Sequence, residues 1–91
     1  MAIYYEADAI NDLKKIVAYG KKQGYPKAAK YATALRVKIS IIGTHPEGGR
    51  PGRVPGTREL VIAGTPYIAV YQIDGNDQRV RRVLHGSQQW P

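Results

Sequence analysis

Residues 57–91, TRELVIAGTPYIAVYQIDGNDQRVRRVLHGSQQWP, limit the possible folds of this chain more than any other stretch. Runs rich in β-branched and aromatic residues, at 58–63, 67–73 and 78–85, are separated by Gly64-Thr65-Pro66 and by Asp74-Gly75-Asn76-Asp77. Gly, Pro, Asn and Asp are turn residues, so each run reads as a strand. Connections this short permit only antiparallel hairpins, because a parallel return needs a crossover of about a dozen residues. The middle run is apolar on both faces, with Tyr67, Ala69, Tyr71 and Ile73 on one side and Ile68 and Val70 on the other. It is therefore expected at the centre of the sheet. In the third run strict alternation sets Arg79, Arg81, Val83 and His85 against Val80, Arg82 and Leu84.

A meander of this size must bury one face against something else. The first half of the chain supplies the cover. Ile10, Leu13, Ile16 and Val17 recur at helical spacing, with Asp12, Lys14, Lys15 and Lys21 placed elsewhere on the helix. Asp8 is the expected N-cap and Gly24 the expected terminator. Pro26 suits the first position of a second helix, whose seam is Ala28, Ala32, Leu35, Ile39 and Ile42. The short link at Gly24-Tyr25 makes the pair an αα-hairpin. Gly43 is expected to end the second helix. Residues 44–56, THPEGGRPGRVPG, carry too many Pro and Gly for a regular element and read as an ordered surface loop. Ala2 to Tyr5 read as an edge strand beside the meander. The fold class is thus α+β: an N-terminal strand and an antiparallel αα-hairpin packed on an antiparallel sheet. Its expected core includes Leu13, Ile16, Leu35, Ile39, Ile42, Val70 and Leu84. A length of 91 residues makes this one domain, 1–91.

Charge and composition narrow the function. The chain has 14 Lys and Arg against 7 Asp and Glu, a formal net charge of +7, and a pI near 9.9. That balance favours a polyanion or an acidic protein as partner. Cysteine is absent, which excludes disulfides and thiolate metal sites and fits a cytoplasmic location. No apolar run approaches the ~18 residues of a membrane span, and no signal peptide is legible. There is no phosphate loop, no pair of His at metal-ligand spacing, and no Ser or Cys nucleophile with an evident base. No cofactor or metal is expected. The remaining candidates are cations near the meander: Arg50, Arg53, Arg58, Arg79, Arg81 and Arg82, together with His85 and Trp90. A neutral His85 could act as acid or base with Arg79, Arg81 and Arg82 gripping phosphate. Tyr67, Tyr71 and Trp90 beside a basic groove would suit RNA, and the same residues would suit an acidic protein. Trp90 also reads as an anchor that packs the tail down.

The segments ADAINDLKKI, HPEGGRP, GTREL, GTPYIAVYQI, RVLHG and WP, in this order, resemble toxins of the RelE/ParE superfamily, the toxic halves of bacterial type II toxin–antitoxin modules. The resemblance covers nearly the whole chain. It implies a helical hairpin on a small sheet, a cognate antitoxin partner and a hetero-oligomer with it. RelE-like members cleave messenger RNA on the ribosome, whereas ParE-like members act on DNA gyrase without being nucleases. The long hairpin and the LHG…WP ending look ParE-like. RelE-type enzymes usually place lysines on the strand that here has only Arg58, and an Arg where this chain has Ile68. The resemblance therefore implies a gyrase-directed toxin that is not an enzyme. The alternatives are a ribosome-dependent mRNA endoribonuclease using His85, Arg81 and Arg82, and a non-toxic basic binding module.

Overall fold

The computed structural model describes residues 2–88 and 90, so Pro91, the last residue of the WP ending, lies outside the described residues. Strand β1 (Ile3–Tyr5) leads into helix α1 (Ala7–Lys22) and then α2 (Ala28–Ile39), followed by strands β2 (Arg50–Pro51), β3 (Arg58–Val61), β4 (Tyr67–Asp74) and β5 (Asp77–His85). The sheet order is β1-β5-β4-β3-β2, which puts β4 in the centre as its two apolar faces demand. The β3-β4-β5 meander is antiparallel throughout. β1 differs: it joins β5 in parallel, Ile3 opposite Gln78 and Tyr5 opposite Val80, so the whole sheet is mixed. The α-helical hairpin lies between β1 and β5 in sequence and serves as the long crossover that a parallel pairing needs.

Two further departures are local. Val70 faces Arg82 while Tyr71 faces Val80, so Arg81 is the extra residue of a β-bulge. A bulge reverses the alternation of faces. Val80 and Val83 therefore both enter the core beneath the helices, instead of pointing in opposite directions. Residues 44–56 are also more regular than their Pro and Gly content suggests, with a 3-10 turn at Pro46–Gly48 and the two-residue β2 pairing with β3. Gly49 makes that loop fit: a β-carbon there would stand 2.8 Å from the Tyr71 ring and 2.9 Å from the Glu59 carbonyl oxygen.

α1 ends as expected in a Schellman motif. Gly24 adopts φ 77°, its N–H donates to the Lys21 carbonyl, and the Tyr25 N–H donates to the Gly20 carbonyl at 2.9 Å. Its start differs, because Glu6 is the N-cap residue and Asp8 sits in the first turn, where its charge still favours the helix dipole. Pro26 precedes α2 by two residues, and the chain after Ile39 tightens into a 3-10 turn, Ser40–Gly43, before it leaves the helix. Leu13, Leu35, Ile39 and Ile42 are buried against Ile62, Ala69, Tyr71, Val80 and Val83, with Ile16 half-buried beside them. Val70 and Leu84 are buried as well, but on the opposite face of the sheet, where they share a small hollow with Trp90. The tail thus covers the side that the helices leave bare. No helix among the described residues is long and apolar enough to cross a membrane.

Candidate functional site

The strand arginines were candidates for an anion grip because the third run of the meander carries so many of them. The fold commits most of them to acceptors of its own. Arg79 reaches Asp74 at 3.2 Å and Glu6 at 3.8 Å. Arg81 donates to Glu6 at 3.1 Å and to the Gln72 amide oxygen at 2.7 Å. Arg82 donates twice to Asp12, at 2.7 and 3.0 Å, and this hydrogen-bonded carboxylate raises the guanidinium pKa above its usual value. Asp12 was expected away from the apolar face of α1, yet it is buried, because its own flank of the helix meets β5 where β1 no longer covers the strand edge.

Of the remaining candidate arginines, Arg50 and Arg58 are engaged through their side chains and Arg53 only through its backbone. Arg50 pairs with the buried Glu59 at 3.0 Å. Arg58 donates to the carbonyl oxygens of Gly49 and Glu47, at 2.9 and 3.1 Å. Arg53 has its backbone N–H on Glu59 and lies at the hollow that holds Trp90. Arg50, Arg53, Glu59 and Trp90 therefore gather on the outer face of the sheet, around the covering tail. Tyr71 is fully buried, its hydroxyl donating to the Pro46 carbonyl at 2.6 Å and accepting the Gly49 N–H at 2.9 Å. That removes it from any stacking surface.

His85 stands apart from these groups. Its exposed ring packs edge-on against Tyr67 with centroids 5.7 Å apart. Nδ1 accepts the Ser87 N–H at 3.2 Å and lies 2.8 Å from the Ser87 hydroxyl. A neutral ring with Nδ1 so occupied carries its proton on Nε2, leaving that one nitrogen for a ligand. Around it lie Asp12, Lys15, Tyr19 and Gln88, in a shallow hollow of about 160 Å³. Arg81 and Arg82 do not line that hollow. Among the described residues no three His, Asp or Glu are grouped to hold a metal ion.

One feature of the surface was not singled out in the sequence. Ile16, Tyr19, Tyr25, Pro26, Tyr31 and Tyr67 line an apolar groove of about 560 Å³ where the tip of the helical hairpin overhangs the β3–β4 turn. Tyr31 and Tyr67 meet edge-to-face at 6.1 Å, and burial first, then Tyr31 and Tyr19, pushes the Tyr67 phenol pKa up. Tyr19 and Tyr25 remain more than half exposed. The available signal was compositional: seven Tyr in a chain without Phe, a side chain that presents apolar surface and keeps a polar tip in water.

Comparison with known proteins agrees with this architecture. A family model described as ParE toxin of type II toxin-antitoxin system, parDE, matches residues 3–90. The protein named "Putative toxin Y4kP" of Sinorhizobium fredii (strain NBRC 101917 / NGR234) is 39% identical over 83 residues, covering 91% of this chain and 85% of that protein. Among solved structures, a chain of the chromosomal ParDE TA system from P. aeruginosa superposes with a TM-score of 0.76 at 26% identity, covering 93% of this chain and 95% of that one.

Proposed function

We propose a mode of action from one premise: the chain belongs to the ParE toxin family of type II toxin–antitoxin systems. It inhibits growth by binding DNA gyrase in the cytoplasm, without cutting RNA, and a cognate antitoxin neutralises it. The observation that carries this reading is the state of the arginines. A nuclease needs cations free to grip the scissile phosphate beside an acid–base group. Here Arg79, Arg81 and Arg82 are tied to Asp74, Glu6 and Asp12, and none lines the hollow at His85. What the fold leaves open is an apolar, tyrosine-rich groove, which favours a protein partner with a few anchoring contacts.

The antitoxin is proposed to lay an amphipathic helix along the hairpin, apolar side chains in the Tyr19–Tyr25–Tyr31–Tyr67 groove and acidic ones towards Lys27 at its rim. Expression of the toxin alone tests the target. Gyrase inhibition gives filamentous cells with an induced DNA-damage response, and His85→Ala then weakens toxicity only a few-fold, because binding energy is spread over a surface. Immediate arrest of protein synthesis with cut messages, together with a loss of ~10²–10⁴-fold in cleavage on His85→Ala, would overturn this reading in favour of the ribosome-dependent nuclease.

A further inference from the structure

All seven lysines of the chain lie between residues 14 and 38, and six of its seven arginines lie outside that span. The two kinds of cation have different fates. Arg50, Arg58, Arg79, Arg81 and Arg82 are held by carboxylates and carbonyls within the fold, and Arg53 alone of the strand and loop arginines keeps its guanidinium without such a partner among the described residues. Among the described residues no lysine takes part in an ion pair, and only Lys38 has a hydrogen-bonded partner, the Ala63 carbonyl at 2.8 Å. Segment 7–39 holds eight Lys and Arg against two Asp, and one of those Asp is spent on Arg82. Apart from Arg53, the unspent positive charge of the described residues therefore resides on the hairpin.

On α1 that charge is arranged. Residues three and four apart share a helix face, so Asn11, Lys14, Lys15, Ala18, Lys21 and Lys22 form one stripe, and every member is exposed. Lys14 to Lys22 cover about 12 Å of helix axis at 1.5 Å per residue. Surface helices commonly intersperse Glu with Lys, which relieves repulsion. No acid interrupts this stripe, and Asp8, the other acid of the helix, lies six residues before Lys14. Ile16 and Gly20 line the tyrosine groove from another flank of the helix, so the stripe and the groove are separate surfaces.

We propose that this α1 stripe binds the phosphate backbone of double-stranded DNA. The choice among polyanions follows from what the stripe lacks. A folded acidic protein would need apolar anchors to hold it, and the only uncharged members here are Asn11 and Ala18. Single-stranded nucleic acid is held by bases stacked on aromatic rings, and the stripe contains none. What remains is a row of compact ammonium groups, which bind a dense array of phosphates by displacing its counterions. Duplex DNA offers one charge per ~1.7 Å of axis, against which a row of this length can set all four lysines. The contact carries no base sequence information, since positioning on phosphates alone specifies nothing. This inference stands whichever protein the toxin inhibits.

The test is fluorescence anisotropy with the free toxin and a labelled DNA duplex of arbitrary sequence over a salt series. Four phosphates neutralised give a slope of log K against log salt of about −3 to −4. K14Q/K15Q/K21Q/K22Q should bring that slope close to zero, whereas Lys→Arg at the same four positions should keep it. If the quadruple variant does not fold, as read by circular dichroism, the pairs K14Q/K15Q and K21Q/K22Q should each remove about half of the slope. The proposal fails if the toxin does not bind the duplex at low salt or binds polyuridine more tightly. It fails equally if the glutamine variants, folded, bind the duplex with an unchanged slope.

Discussion

The carboxylate of Asp12 accepts three hydrogen bonds from β5, two from the Arg82 guanidinium and one from the Val83 N–H at 2.9 Å. β1 pairs with β5 only as far as Val80, so beyond that point the strand edge would stand open next to α1. An open edge invites pairing with another chain. Asp12 closes it with a side chain, satisfies a buried backbone donor and fixes α1 against the sheet in one contact. Asp12→Ala would leave the Val83 N–H and the Arg82 guanidinium without that acceptor. Because the Arg82 side chain is 29% exposed, water can recover part of the loss. The expected destabilisation is about 2–4 kcal/mol, read as a fall in thermal midpoint of roughly 4–8 °C per kcal/mol for a domain of this size. Asp12→Asn, which keeps an acceptor of the same shape, should cost less than Asp12→Ala. Equal thermal midpoints for wild type and Asp12→Ala would show that the contact contributes nothing.

Strands and helices were legible in the sequence where the pattern was local. The turn at Gly75-Asn76, the Gly24 terminator and the Leu35–Ile39–Ile42 seam all depend on neighbours a few residues away, and each is present in the fold. What could not be read depends on partners far along the chain. The bulge at Arg81 follows from the fit of β5 against β4, and strict alternation from Arg79 to His85 cannot reveal it. The burial of Asp12 follows from a gap in a sheet formed 70 residues later. The candidate arginines were identified correctly as cations near the meander, but their availability depends on Glu6, Asp12, Glu59 and Asp74, whose positions emerge only on folding. β1 itself adds a test at this level. Tyr5 packs under Arg36 of α2, the guanidinium 4.5 Å from the ring centroid. Burial raises the Tyr5 phenol pKa above its usual 10.0, and Arg36 opposes this only in part. The folded state therefore holds the proton more tightly than the unfolded state. This contribution to stability is complete below pH ~10 and is lost as pH rises through the folded value. Between roughly pH 9 and pH 11 wild type should lose more stability in urea titrations than Tyr5→Phe does. Parallel losses in the two proteins would remove Tyr5 as the cause.

At the scale of the molecule, the two charge populations serve different purposes. Arginine–carboxylate pairs tie α1 and the loop after α2 to the sheet, through Asp12–Arg82 and Glu59–Arg50. The lysines of the hairpin remain as an outward field within a net charge of +7. Such a field is self-repelling in the free toxin, and an oppositely charged partner relieves it. Beside it lies the apolar tyrosine groove, with only Lys27 charged at its rim, where contact energy is mainly short-ranged and weakly sensitive to salt. The two surfaces predict a division in how the proposed antitoxin binds. Long-range attraction to the lysines should set the rate of encounter, and the apolar contacts in the groove should set the lifetime of the complex. Raising salt from roughly 50 mM to roughly 500 mM shortens the screening length several-fold. The association rate constant should then fall by about tenfold or more, while the dissociation rate constant changes by less than about threefold. Tyr25→Ala and Tyr31→Ala should do the reverse, speeding dissociation and leaving the salt dependence of association as it was. Stopped-flow mixing of toxin and antitoxin measures the first constant and competitive displacement the second. Association that is indifferent to salt would mean that the hairpin lysines do not steer this partner.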